Sequence, residues 1–433
     1  MSPSSFSQRA KAWLADLTVG GAWGRTLAPF QQFNLRWYWF DGLFASASDN
    51  IILNFVSLYI IALGATGAQV GLASSLSSIA SALVLIPGAL LAERAIHKKR
   101  VPLAFGAAGR FSIFLLVFVP IFFKGPTAIW IAIAFSVIRD ACSYFGYPAW
   151  MAITNDVVPI EGRGRYFGSR NFIMGIAGMA VTLLTGKLIT LFVHTTGYQI
   201  ALAAAFVLGM ASTFCFSRID ESAPRPSAIG ERGFTLRGLV GMLKGQSNFI
   251  ALAVTAAMWN FAVNISGPFF NVQMVNVLGF NTAIIGVLNV ISAFTSLITQ
   301  KRIGGLADRF SNRKLQLISM SLIPILPAAW IFVTASWQVA IINLFTGVFW
   351  GIYNLVSFNL LLAAVPRDQV ARFTAVYQVV ILAAMALGAA IGSAIVAAWG
   401  FTGVLIATVA VRYVTVAVFA RFVREPRLAS AKS

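Results

Sequence analysis

The chain has 433 residues, of which 58% are hydrophobic and only 10% are charged. A soluble domain carries about 25% charged residues, so this composition excludes an ordinary soluble protein and indicates a membrane protein. The net charge of +19 would suggest a nucleic-acid partner in a soluble chain. Here the basic residues collect in alternate connections between apolar runs, so no nucleic acid is expected.

Apolar runs of about 20 residues recur along the chain, and each is long enough to cross a hydrocarbon core of ~30 Å as a helix. A helix satisfies its own backbone hydrogen bonds, which lipid cannot do. The sequence therefore predicts an all-α membrane protein with twelve transmembrane helices in two pseudo-symmetric six-helix bundles. The predicted spans are 36–62, 68–92, 101–123, 127–154, 169–193, 197–217, 248–277, 282–306, 314–335, 337–364, 372–398 and 401–422.

The predicted organisation places a cytoplasmic linker between the two bundles, because this stretch is rich in proline, glycine and basic residues. The predicted parts are an N-terminal segment 1–35, a first bundle 36–217, the linker 218–247, a second bundle 248–422 and a tail 423–433. By the positive-inside rule the basic connections and both termini are cytoplasmic. Basic and apolar residues alternate in the linker, which favours contact with the anionic lipids of the cytoplasmic leaflet of a plasma (cell inner) membrane.

One stretch of the first bundle recurs in the second. Leu63 and Leu278, Gly64 and Gly279, and several later pairs through Arg94 and Arg309 lie 215 positions apart. Landmarks that stay in order at a constant offset indicate a duplicated half. The two bundles should therefore have the same internal arrangement.

The connection after the eighth predicted span carries a loop motif of glycine, aspartate and basic residues. Gly304, Asp308, Arg309 and Arg313 stand at the spacing Gly-x-x-x-Asp-Arg followed by a basic residue. Together with the two predicted bundles of six helices, this motif resembles that of the major facilitator superfamily of secondary transporters. The resemblance covers essentially the whole chain and implies its fold and transport by alternating access. It says little about the substrate, and the Gly-Pro signature of drug antiporters is absent from the fifth span.

The same motif predicts a gate at the cytoplasmic face. Asp308 is expected to pair with Arg165 or Arg170 of the other bundle, and Glu93 with Arg372, while the cytoplasmic side is closed. The alternative is that these are ordinary solvated charges that set topology. The predicted gate residues are Glu93, Arg94, Arg165, Arg170, Gly304, Asp308, Arg309, Arg313 and Arg372.

Ionisable residues inside apolar spans are functional candidates, because each costs at least ~2.5–3.5 kcal/mol in the bilayer. Asp49 lies midway along the first span, and Arg139 and Asp140 lie midway along the fourth. We expect Asp49 to face Arg139, with Asp49 and Asp140 as proton-coupling residues, because protonating the acid would release the arginine. The alternative is a static ion pair that braces two helices.

Four further charges have different interpretations. Asp41 stands near the cytoplasmic end of its predicted span beside Arg36, so interfacial pairing is expected. Arg110 and Lys187 are expected to snorkel toward opposite membrane faces. Arg412 lies too near the middle of the last span to snorkel easily, and the sequence gives no role for it beyond a bound lipid.

Polar and aromatic residues on four spans predict a mixed cavity that suits an amphipathic or polar organic molecule. Helix packing is the alternative for each of them. The predicted substrate-binding residues are Arg139, Asn50, Asn54, Tyr144, Tyr147, Trp259, Asn260, Asn264, Trp350, Tyr353 and Asn354. Gly388 and Gly392, at GxxxG spacing, predict a close helix contact instead.

These observations favour a secondary transporter that moves a small organic, amphipathic compound, coupled to protons, with export ahead of uptake. An uptake symporter for a sugar or organic anion, a lipid flippase and a non-transporting membrane scaffold remain alternatives. No enzyme activity and no cofactor are expected, because the sequence carries neither a nucleotide-binding loop nor a metal-ligand spacing. The family resemblance implies a monomer.

Overall fold

The computed structural model describes residues 17–159, 162–221, 243–307, 311–365 and 370–424. Helices are the only regular secondary structure in these ranges. The first half contains a one-turn helix at Ala22–Arg25 and six long helices. These are α1 Pro29–Ala62, α2 Gly67–Arg94, α3 Arg100–Leu116 with a short continuation Val119–Phe122, α4 Gly125–Val157, α5 Arg163–Thr190 and α6 Thr196–Ser217.

The second half has five helical elements in the described residues, some of them broken. These are α7 Ser247–Ser266, extended by Phe269–Val272 and the π-helical turn Gln273–Val277, α8 Thr282–Ala307, α9 Asn312–Leu322, extended by Ile325–Ala329 and Trp330–Phe332, α10 Ser336–Ala364 and α11 Val370–Phe422. The all-helical prediction is confirmed for the described residues.

Ten helices in the described ranges are long and apolar enough to cross a membrane. The predicted number of twelve differs from this count at two places. The third predicted span is broken between the 17-residue α3 and the short helix Val119–Phe122. The last two predicted spans are joined in α11, whose 53 residues would extend ~80 Å if straight, more than twice a ~30 Å core. Gly400 breaks α11 with φ 68° and ψ −167°, a left-handed conformation that favours glycine.

The outer surfaces of the helices carry large apolar side chains. Leu83 of α2 is 71% exposed and Leu184 of α5 is 69% exposed. Exposed apolar surface on this scale marks a region that contacts an apolar partner or lipid. It is the distribution expected of helices whose outer faces lie in a bilayer.

The chain divides into two compact units. The described residues of Met1–Tyr59 and Leu83–Ser227 form the first unit, and those of Ile60–Ala82 and Ala228–Ser433 form the second. Part of α2 therefore belongs to the second unit, where Ser75 donates a hydrogen bond to the carbonyl of Ala386 at 2.9 Å. The domain boundaries read from the sequence remain predictions.

Small residues allow helices of the second unit to approach closely. A Cβ atom at Gly388 of α11 would lie 2.3 Å from the carbonyl oxygen of Phe261 in α7, and one at Gly392 would lie 2.3 Å from that of Ile265. No side chain fits at these distances. The predicted close helix contact at this GxxxG spacing is confirmed.

Candidate functional site

Arg139 of α4 binds two carboxylates in the first unit. Its Nη2 donates to Oδ1 of Asp49 on α1 at 2.6 Å, and its Nη1 donates to Oδ1 of Asp140 at 2.9 Å. Both contacts are ion pairs and charge-assisted hydrogen bonds. Such bonds are stronger than hydrogen bonds between neutral groups. The expectation that Asp49 faces Arg139 is confirmed.

The depths of these residues along antiparallel helices explain why they meet. Asp49 lies thirteen residues before the end of α1 at Ala62, and Arg139 lies fourteen residues after the beginning of α4 at Gly125. At ~1.5 Å per residue both are about 20 Å from those helix ends. Because the end of α1 and the beginning of α4 are on the same side of the bundle, the two opposite charges lie at the same depth.

Exposure differs among the three side chains of this triad. Asp49 is 60% exposed, Asp140 31% and Arg139 22%. Facing lipid would be costly for a charged carboxylate at this depth, so its free surface requires a polar environment. Asp49 is thus the member of the triad best placed to exchange a proton with water.

Asp41 forms a second, buried cluster. Ser212 Oγ of α6 donates to its Oδ1 at 2.6 Å, and Arg170 Nη2 of α5 lies 3.9 Å from its Oδ2. The side chains of Asp41 and Arg170 are only 7% and 5% exposed. Arg170 also donates from Nε to the carbonyl of Tyr38 at 3.2 Å and lies over the Tyr38 ring.

The expected interfacial pairing of Asp41 is wrong. Helix α1 begins at Pro29, seven residues before the predicted span, so Asp41 lies twelve residues, or ~18 Å, from its beginning. The neighbouring Gly42 leaves room for the Arg170 guanidinium, since a Cβ there would lie 2.2 Å from Arg170 Nη2. The buried partner on α5 therefore replaces an exposed partner at the membrane surface.

Arg110 of α3 also points inward rather than snorkelling to a membrane face. Its guanidinium donates to Ser212 Oγ at 2.8 Å and to Thr213 Oγ1 on α6. Because Ser212 donates in turn to Asp41, the two arginines on α3 and α5 are joined through one hydroxyl and one carboxylate. Sequence reasoning missed this cluster, although charges within apolar spans were the available signal.

The predicted substrate-binding residues of the first unit lie on α1 and α4. Asn50 Nδ2 donates to the carbonyl of Ser46 at 2.8 Å and packs against Gly178 of α5. Asn54 Nδ2 donates to Thr182 Oγ1 of α5 at 3.3 Å. Tyr144 is partly buried, one turn beyond Asp140, and Tyr147 is 40% exposed. The two asparagines therefore join α1 to α5, while Tyr147 keeps an exposed face.

The predicted residues of the second unit include a buried aromatic cluster, which we define as Trp259, Trp350 and Tyr353. Trp259 of α7 is fully buried and stacks on Tyr353 of α10 with ring centres 5.3 Å apart. Trp350 meets Tyr353 edge-on at the same distance. The amides of Asn260 and Asn264 donate to carbonyls of α7 itself. Asn354 is exposed.

Arg412 of α11 lies beside this aromatic cluster. Its guanidinium carbon is 5.7 Å from the centre of the Trp259 ring, and its side chain is 4% exposed. Neither Arg412 Nε nor Trp259 Nε1 has a hydrogen-bond partner among the described residues. A cation–π contact contributes up to ~2 kcal/mol, which does not offset the ~2.5–3.5 kcal/mol or more of placing the charge in a bilayer.

Most of the predicted gate lies outside what the structure describes. Asp308 and Arg309 fall outside the described residues, as do the side chains of Glu93, Arg165, Gly304 and Arg372. Arg94 is exposed at the end of α2. Arg313 donates to the carbonyls of Val423 and Ala420, each at 2.6 Å, and Arg170 belongs to the Asp41 cluster.

Within the described ranges, no group of three or more His, Cys, Asp or Glu side chains is arranged to hold a metal ion. The charged clusters of the first unit instead pair carboxylates with guanidiniums. The interaction that they show is ion pairing.

Comparison with known families identifies the chain. The sequence profile of the Major Facilitator Superfamily matches residues 39–299 and, in a second overlapping match, residues 252–433. The chain belongs to the Major Facilitator Superfamily. The resemblance read from the loop motif is confirmed.

Solved structures of this superfamily share the fold at low sequence identity. A mutant form of the nucleoside transporter NupG has a TM-score of 0.71 and 11% identity, covering 90% of this chain and all of that chain. A D-xylose-proton symporter has a TM-score of 0.69 and 14% identity, covering 90% and 97%. A bacterial homolog of the human lysosomal transporter Spinster has a TM-score of 0.63 and 15% identity, covering 98% of each.

No curated protein sequence matches the chain significantly. Family membership and the long apolar helices make the chain an integral membrane protein and a secondary transporter rather than an enzyme.

Proposed function

We propose that this chain moves a small, amphipathic organic compound across the plasma membrane by alternating access, coupled to protons, with export ahead of uptake. The observation that carries the coupling is the triad in which Arg139 binds Asp49 and Asp140. Asp49 exposes most of its carboxylate at mid-span depth, so a proton can reach it. A neutral Asp49 would no longer hold Arg139, which could then bind substrate or move.

The path of the substrate is proposed to run along the exposed polar and aromatic side chains. Tyr147 and Asn354 are exposed, and Trp350 is partly so, while Asn50, Asn54 and Trp259 are engaged in helix packing. An aromatic surface with a few amide groups suits a compound that has an apolar body and a polar end. The substrate class follows from this mixture.

The cytoplasmic gate is retained as part of the proposal with one change of partner. Because Arg170 is buried with Asp41, Arg165 is the better partner for Asp308. Glu93 and Arg372 form the symmetry-related pair. Both termini and the basic connections are proposed to be cytoplasmic, since the basic residues concentrate there. The protein is proposed to act as a monomer.

Uptake symport of a sugar or organic anion is the second candidate. It is favoured by Arg139, whose two Nη groups now bind Asp140 and Asp49 and could bind a substrate carboxylate or hydroxyl once released. The structural likeness to a D-xylose-proton symporter also favours it. The direction of proton movement relative to the substrate distinguishes this symport from the proposed antiport. A symporter carries protons with its substrate, and an antiporter carries them against it.

The proposal is tested in proteoliposomes that enclose a pH-sensitive dye. Tetraphenylphosphonium, ethidium, D-xylose, uridine and benzoate are added outside in turn. One class should make the interior alkaline in wild type, the sign of antiport, and the response of Asp49→Asn should fall to that of empty vesicles. Interior acidification would instead establish symport.

Asp156→Asn is the matched control, because it removes an exposed carboxylate from the cytoplasmic end of α4. It should respond as wild type does. An unchanged response of Asp49→Asn would contradict the proposed coupling. A wild-type protein that binds a compound but moves neither compound nor protons would support the scaffold interpretation.

A further inference from the structure

Arg412 differs from every buried arginine of the first unit. Arg139 binds two carboxylates, Arg170 lies beside Asp41, and Arg110 donates to two hydroxyls. Arg412 is 4% exposed and has no ion pair or hydrogen bond with any described residue. Its guanidinium lies near the face of Trp259 and interacts electrostatically with Tyr353.

The sequence of the second half explains the missing partner. Between residues 248 and 422 the sequence has two carboxylates, Asp308 and Asp368, and both fall outside the described residues. Arg412 lies ten residues before the end of α11 at Phe422, about 15 Å along the helix. The described helices of the second half therefore contain no carboxylate that could neutralise this guanidinium.

Two buried donors at this place find no acceptor among the described residues. Arginine offers five N–H groups and accepts no hydrogen bond, and the indole of Trp259 offers one N–H group. Both Arg412 Nε and Trp259 Nε1 are buried and unbonded. A complementary ligand must therefore supply several acceptor atoms and negative charge. The stacked rings of Trp259 and Tyr353 form the apolar surroundings of these donors.

We propose that Arg412, Trp259 and Tyr353 form a binding site for the carboxylate or phosphate group of an amphipathic anion. The ligand is either a transported organic anion or an anionic phospholipid, and both bring the same chemistry to the site. The transported form rests on the proposed function and gives the chemical class of its substrate. The lipid form is independent of proton coupling.

The first test measures thermal unfolding after delipidation in a non-ionic detergent. Saturating naphthyl phosphate or indole-3-acetate should raise the unfolding temperature of wild type by about 3 °C, because a ligand of the folded state alone stabilises it. Arg412→Gln should show no rise. Arg412→Lys should respond weakly, because an ammonium cannot form the forked contacts of a guanidinium.

The second arm distinguishes the two sources of the anion. The same variants are placed in nanodiscs of phosphatidylcholine with and without phosphatidylglycerol. Stabilisation of wild type by the soluble anions assigns a transported ligand. Stabilisation by phosphatidylglycerol alone assigns a lipid. Arg421→Gln, which removes an exposed charge from the end of the same helix, should behave as wild type in both arms.

The unfolding temperatures of the ligand-free proteins provide a further test of the proposal. Removing a buried charge that has no partner should leave the unfolding temperature of delipidated Arg412→Gln equal to or above that of wild type. Trp259→Phe keeps the ring but removes the N–H donor, so it should weaken anion binding without preventing folding. The proposal is overturned if neither anion source stabilises wild type, if Arg412→Gln responds equally, or if that variant is destabilised without ligand.

These results are separable from those of the proton-flux experiment. Loss of coupling in Asp49→Asn with no anion effect at Arg412 would leave the proposed function standing and remove this inference. An anion effect at Arg412, together with intact proton coupling in Asp49→Asn, would support this inference and contradict the proposed coupling.

Discussion

Asp49 and Asp41 lie on the same helix, and their surroundings give them different roles. Asp49 is 60% exposed and bonds one guanidinium that Asp140 also binds. Asp41 is 7% exposed and is enclosed by Ser212 and Arg170. A carboxylate with a free surface can exchange its proton, whereas an enclosed one chiefly holds its partners in position. Asp41 is therefore expected to stabilise the first unit.

Substituting Asp41 should destabilise the protein strongly. Asp41→Ala leaves the Arg170 guanidinium buried without its carboxylate, and breaking a buried pair in this way costs about 3–5 kcal/mol. Chemical unfolding in mixed micelles should show a lower midpoint for the variant. Asp156→Ala, at an exposed position, serves as control and should stay near wild type. Equal midpoints for Asp41→Ala and wild type would show that Asp41 does not stabilise the first unit.

The sequence predicted a contact correctly where the depth of each residue in its span was enough to identify the partner. It placed Asp49 opposite Arg139, because both lie at the middle of apolar spans and carry opposite charges. It failed at Asp41, since the span was predicted to begin at 36 and the helix begins at Pro29. It also failed at Arg110, whose partners Ser212 and Thr213 come from a helix about a hundred residues away.

At the scale of helices, glycine determines which pairs pack most closely. Gly388 and Gly392 of α11 bring it against the backbone of α7 at Phe261 and Ile265. Such contacts allow van der Waals packing between helices in lipid, where the hydrophobic effect gives no attraction. This feature was predictable, because a four-residue spacing of glycines places both on one helix face.

A larger side chain at this contact should weaken the second unit. Gly388→Val forces α11 away from the α7 backbone, and overpacking of this kind costs about 1–3 kcal/mol. The unfolding midpoint of the purified variant should fall accordingly. Gly168→Ala in α5 is the control, since no atom lies within 4 Å of its Cβ, and it should be neutral or slightly stabilising. A wild-type midpoint for Gly388→Val would mean that α7 and α11 are not held at this distance.

The connection at Gly400 was harder to predict from the sequence. No polar loop separates the two predicted spans in α11, so a single residue in a left-handed conformation provides the break. Composition measures cannot detect such a break, because Trp399 and Phe401 continue the apolar run. Length does detect it, since a straight helix of 53 residues exceeds the membrane thickness more than twofold.

At the scale of the whole molecule, the two halves are similar in helix order and differ in charge. The family profile matches the chain twice, and the helices of both halves follow the same order. The first unit contains Asp41, Asp49 and Asp140 with their arginines, whereas Asn264 occupies the repeat position of Asp49 in the second. The second unit has Arg412 beside aromatic rings. The proposed proton exchange therefore involves charges of the first unit, and the proposed anion site belongs to the second.

The central claim is that Asp49 couples protons to the movement of a substrate. The most direct measurement compares two activities of Asp49→Asn with the compound that drives proton flux in wild type. Asparagine imitates the protonated acid, so the variant should still exchange labelled for unlabelled substrate across the membrane at the wild-type rate. It should no longer accumulate substrate when a pH gradient is imposed. Accumulation at the wild-type level by Asp49→Asn would contradict the account, because the proton would then be carried elsewhere.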